Sequence, residues 1–149
     1  MQGKNLFRIA EKYLYSYQEN CERLKTLQFD LDNLRHSGDV HAQNYQINFS
    51  GARVYTNPVE LHAEKIFSLE RQIQRVERNI KPINNLIQDC EKAEKSGSIK
   101  AHDYLTILEL FYFAENNTKT VITKMNISRS TFYSRRRSLV FKAIGYLGL

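Results

Sequence analysis

Apolar residues recur along the chain in two long stripes with helical spacing. From Leu6, steps of four and three residues pass through Ala10, Tyr13, Tyr17, Asn20, Leu24, Leu27, Leu31 and Leu34, the seam of one long heptad-patterned helix. At about 1.5 Å per residue it extends roughly 40 Å, and it is expected to stop near Ser37-Gly38, where glycine can take a left-handed cap. Asn20 is the polar residue of the seam. Either its burial fixes register and partner number, or Cys21 packs in its place and Asn20 faces water. A second stripe follows Asn57-Pro58, a cap-like residue with proline at the first helical position. It runs through Ile66, Leu69, Ile73, Val76, Ile80, Ile83, Ile87 and Cys90, with Glu70, Arg71, Arg75, Glu77 and Arg78 between the apolar positions. Pro82 interrupts this stripe and predicts a kink, or two abutting helices.

The two stripes predict an antiparallel helical hairpin, or a coiled coil contributed to an oligomer. Between them, Tyr45, Ile47 and Phe49 alternate with polar residues, Ser50-Gly51 can turn the chain, and Val54 and Tyr55 can return it. Residues 38–57 thus offer a small β-hairpin, with an ordered, aromatic-rich loop as the alternative. Residues 94–100, EKSGSIK, have the composition of a linker. The expected organisation is an all-α chain with a helical oligomerisation region at 1–95 and a second domain at 96–149.

In that second part the segment HDYLTILELFYF is apolar on nearly every side and must be covered by neighbours. Asn116-Asn117-Thr118 offer a stop and a new cap. TKTVITKM then gives a short helix with Val121, Ile122 and Met125 inward. Asn126 tolerates the left-handed conformation of a tight turn, Ile127 anchors it, and Ser128 can cap the next helix. Phe132, Leu139, Val140, Ala143, Ile144 and Leu147 form that helix's buried face. A short helix, a tight turn and a capped longer helix make a helix-turn-helix, whose second helix fits the DNA major groove.

Charge sharpens this picture. The net charge is +6, yet after Glu115 the chain holds Lys119, Lys124, Arg129, Arg135, Arg136, Arg137 and Lys142 and no carboxylate, so residues 1–115 sum to −1. Such polarity suits a polyanion partner. Arg129, Ser130, Thr131, Tyr133, Ser134 and Arg137, with Ser128 and Arg135, are the candidates for base edges and phosphates. Thr118, Lys119, Thr120 and Lys124 are placed to grip the backbone, helped by free amides at the first helix's start. The alternative is that Arg135–Arg137 form a solvated helix face on a protein-binding module.

Other chemistry is thinly represented. Cys21 and Cys90 stand alone and fall within apolar stripes, so buried thiols are expected. His36 and His41 have no third ligand nearby, and no metal or cofactor is expected. Phosphate loops and paired carboxylates with a histidine are missing, which argues against an enzyme. No apolar run approaches the ~20 residues of a membrane span, and the polar start lacks a secretory core. A cytoplasmic protein with no membrane partner is expected.

The ending VITKMNISRSTFYSRRRSLVFKAIGYLG resembles the sigma-factor region that reads the upstream promoter element: a helix-turn-helix with an Ile-Ser turn followed by Thr-apolar and Arg. Together with Pro58-Val59-Glu60 at the start of the middle helix, it resembles the ArpU and RinA family of phage late transcriptional regulators. The likeness covers the last fifty residues well and the first ninety in layout. It implies activation of late genes in a bacterial host, with double-stranded DNA and host RNA polymerase as partners. It also implies that Ser128, Arg129, Ser130, Thr131, Tyr133 and Ser134 enter the groove. Ile122 departs from the small residue usual between such helices. Arg135 and Arg136 occupy a turn where one apolar residue is usual, so one must snorkel past its stem. A small terminase subunit, which joins the same DNA-binding unit to ring-forming helices, is the alternative of a different class.

Overall fold

The computed structural model describes residues 2–37 and 58–149. The proposed hairpin at 38–57, the Asn57 cap, Gly38 and His41 lie outside the described residues. Among those described, the chain is all-α, with no strand: α1 Gln2–His36, α2 Pro58–Lys95, α3 Ile99–Ile107, α4 Thr118–Met125 and α5 Arg129–Leu147, with a π-helical segment Leu108–Phe113 continuing α3. Both long stripes are single helices, and α2 runs unbroken through Pro82. Pro58 stands at the first position of α2, where a missing N–H costs nothing.

The chain forms two compact units, Met1–Asn20 with Arg78–Leu149, and Cys21–Glu77. In the second unit Leu27 and Leu31 of α1 and Ile73 and Val76 of α2 are buried. Arg35 Nη2 donates to Glu70 Oε1 at 2.8 Å, tying the two helices at their exposed margin. The boundary at 95/96 expected from the linker-like composition lies inside the first unit. There Gly97, at φ 93°, turns α2 directly into α3. Its N–H bonds Glu94 O at 2.9 Å, and the N–H of Ser98 bonds Ala93 O at 3.0 Å, the paired closure of a glycine-ended helix. Ser98 then caps α3 through the Ala101 N–H.

The core of this first unit draws on every helix. Ala10 and Leu14 of α1 and Ile83, Leu86 and Cys90 of α2 meet Tyr104, Ile107, Leu108, Phe111, Tyr112, Val121, Phe132, Leu139, Val140 and Ala143. The segment 103–114 is covered, as its all-round apolarity demands. Its π-helical turn widens the spacing of side chains, and both Phe111 and Tyr112 are buried. Phe111 packs edge-on to Phe132 with centroids 5.4 Å apart, so the segment is the wall on which α5 rests.

Candidate nucleic-acid interface

Local sequence builds the ends of α4 and α5. Asn117 caps α4 by accepting the Thr120 N–H at 2.8 Å. The chain leaves α4 through Asn126 in the left-handed region, φ 54° and ψ 47°. Asn126 N–H bonds Thr123 O and Ile127 N–H bonds Ile122 O, so the turn is closed by the same pair of bonds as at Gly97. Ile127 packs against the core. Ser128 Oγ accepts the Thr131 N–H at 3.1 Å and lies 2.7 Å from the Thr131 hydroxyl. Ser128 and Thr131 are therefore engaged in shaping the helix start.

Beyond the cap, Arg129, Ser130, Tyr133, Ser134 and Arg137 are exposed, whereas Phe132, Leu139, Val140 and Ala143 are fully buried. Tyr133 is 43% exposed and packs edge-on to Phe132 at 5.5 Å, which steadies its ring while leaving the hydroxyl end outward. On α4, Lys119 and Lys124 are exposed and Thr118 and Thr120 half-buried. Ile122 and Met125 are half-buried and Val121 fully so.

Two arginines of the run have a different place. Arg135 Nε donates to Asp103 Oδ2 at 3.0 Å, with side chains 24% and 13% exposed. That carboxylate engages Arg135, whose place in the sequence suits a DNA contact. Arg136 Nε and Nη2 both donate to Glu11 Oε1, the former at 2.9 Å. Tyr112 donates its hydroxyl to the same oxygen at 2.8 Å, and the guanidinium carbon sits 5.1 Å from the Phe111 ring centroid. Each of the two arginines is engaged by a carboxylate inside the unit while about a quarter of its side chain, 24%, stays exposed.

Burial, with Glu11 beside it, pushes the Tyr112 hydroxyl well above the usual tyrosine range. Burial opposes the charge of Arg136, but hydrogen bonds to Tyr112 and Glu11 overcome it and hold the guanidinium protonated. Elsewhere, Tyr146 of α5 donates to Asp89 of α2, and that hydrogen bond raises the phenol to about 12. Glu11 and Arg136 are 125 residues apart, so no local pattern announces their pairing. The one hint in the sequence is negative: Arg135 and Arg136 fill a turn where the helix-turn-helix that the ending resembles usually has one apolar residue.

Among the described residues no group of three or more His, Cys, Asp or Glu is placed to hold a metal ion, and no helix is long and apolar enough to cross a membrane. A family model described as a protein of unknown function (DUF1492) matches residues 59–143, more than half of the chain, from the first turn of α2 into α5. No curated protein and no solved structure matches the chain.

Proposed function

The chain belongs to the DUF1492 family, and from its own terminal helices we propose that it is a sequence-specific DNA-binding transcriptional regulator of the helix-turn-helix type. The observation that carries this reading is the division of labour along one short run. Arg135 and Arg136 are tied inward by Asp103 and Glu11, while Arg129, Ser130, Tyr133, Ser134 and Arg137 stand exposed on the leading turns of the same helix. Fork-shaped donors and hydroxyls on a helix of major-groove width suit base edges and phosphates. Lys119 and Lys124, with the first amides of α4, lie on the preceding helix for the backbone.

The sigma-like ending supports a role at promoters, and the resemblance to phage late regulators suggests activation with host polymerase. Two or more copies are needed, since each good bidentate contact supplies only about 1–3 kcal/mol of discrimination; the long helices are the means of association. Selection of bound fragments from random DNA at two salt concentrations tests the reading. A motif with a repeated half-site is expected; a steep salt dependence with no motif overturns it. Native mass spectrometry separates regulation from packaging: two or four subunits accord with a regulator, and a ring of eight or more favours a terminase subunit.

A further inference from the structure

Within residues 21–77, the side of α2 turned away from buried Ile73 and Val76 carries Glu60, Glu64, Phe67, Ser68, Arg71 and Arg75, all exposed. Helical periodicity gathers them in one stripe. Their spacing of 4, 3, 1, 3 and 4 residues reads the same in both directions, but their charge does not: two carboxylates precede the phenylalanine and two guanidinium groups follow it. Phe67 is 56% exposed, with the Arg71 guanidinium 4.6 Å from its ring centroid. A stripe with mirrored spacing and opposite ends is the complement of itself turned end for end, the requirement for an interface in which both subunits use one patch.

We infer that two copies of the chain pair through this stripe, α2 lying antiparallel to α2 of the second copy about a two-fold axis between Phe67 and Ser68. In that register Glu64 faces the partner subunit's Arg71 and Glu60 faces the partner subunit's Arg75, each contact occurring twice, and the two Phe67 rings meet beside the axis. The charge order selects this occupant. A polyanion, an acidic peptide included, gains at Arg71 and Arg75 what it loses at Glu60 and Glu64. The outer side of α1 also exposes an aromatic, Phe29 at 66%, flanked by Lys25 and Asp32. Its next matching pair would need Glu22 and Arg35, and Arg35 is already engaged by Glu70. The pairing deepens the regulator reading and rests on it for its use, the delivery of two terminal helices to repeated half-sites.

Sedimentation equilibrium of the full chain tests the pairing. A monomer–dimer equilibrium is expected, weakening as salt is raised because the contacts are exposed ion pairs. Glu64→Arg and Arg71→Glu each oppose like charges at two symmetric places, so each is expected to weaken the dimer roughly tenfold or more, with unchanged circular dichroism. The double variant E64R/R71E restores it. So does an equal mixture of the two single variants, since each supplies the charges that the other lacks. A monomer at every concentration, a dimer indifferent to both single reversals, or a double variant as weak as the singles overturns the inference. DNA binding is read separately with Arg129→Ala. A monomeric wild-type chain whose DNA binding Arg129→Ala weakens removes the pairing and keeps the DNA-binding face, whereas a dimer without DNA binding does the reverse.

Discussion

Arg129 and Arg136 are seven residues apart on one helix and have opposite surroundings, solvent for the first and the Glu11 carboxylate for the second. Arg129 is exposed at the capped start of α5, and truncating it leaves the core untouched. Arg129→Ala and Arg137→Ala are expected to lower affinity for the selected site, each by about 1–3 kcal/mol where a bidentate base contact is lost, while thermal unfolding is unchanged. Binding that survives both substitutions removes the assigned face. Arg136→Ala leaves Glu11 half-buried beside Tyr112 without its partner. It is expected to cost about 2–3 kcal/mol of stability, below the range for a fully buried pair because the side chains keep some exposure; urea unfolding measures it.

Tyr112 adds a pH dependence at the same scale. Its phenol titrates higher in the folded chain than the ordinary value near 10. The unfolded state therefore loses that proton first as pH rises. The contribution is whole below about pH 10 and falls away above it. Urea midpoints at pH 8 and pH 10.5 should diverge in the native chain, and Tyr112→Phe should reduce the divergence.

At the scale of elements, short-range chemistry determines the two helix ends around residue 126. Asn126 sits at φ 54°, a region costly to side chains that cannot bond locally. Asn126→Gly should be tolerated, while Asn126→Val should destabilise by about 1–2 kcal/mol. Ser128→Ala removes the cap of α5 and should cost about 1 kcal/mol, with a larger loss of DNA affinity if Arg129 and Ser130 are no longer held in place; thermal melts and binding titrations separate the two effects. These caps, like Asn117 and the buried face from Phe132 to Leu147, were legible in the sequence, since each partner lies within a few residues. The π-helical segment at 108–113 was not. A wide turn is chosen by what packs around it, here the need to bury Phe111 and Tyr112 together, and no residue type encodes it. Of the two outcomes Pro82 allows, a kink or two abutting helices, the second does not occur: one helix continues through it, with Ile80, Ile83 and Leu86 buried around it.

For the molecule as a whole, the asymmetry of charge survives folding in reduced form. Two of the seven cations beyond Glu115 are neutralised internally; Lys142 is exposed towards the far end of α5, and Lys119, Lys124, Arg129 and Arg137 are exposed at the proposed face of α4 and α5. If each meets a phosphate or base edge, the logarithm of the binding constant should fall with the logarithm of salt at a slope of roughly −3 to −4 per bound chain. A slope near zero would contradict an electrostatic interface. Arg135→Ala should alter this slope little and stability more, because Asp103 engages it.

The sequence by itself determined the helical class, the two long seams, the caps and turn around Asn126 and the inward face of the last helix. All of these follow from periodicity or from neighbours within one turn. The tertiary structure decided which arginines face outward and which face a carboxylate. It also decided that residues 1–20 and 78–149 share one core while 21–77 form a second unit. Those outcomes depend on pairs such as Glu11 with Arg136 and Asp103 with Arg135. Such pairs meet only once the chain is folded, since an ion pair carries no periodic trace of its partner along the chain.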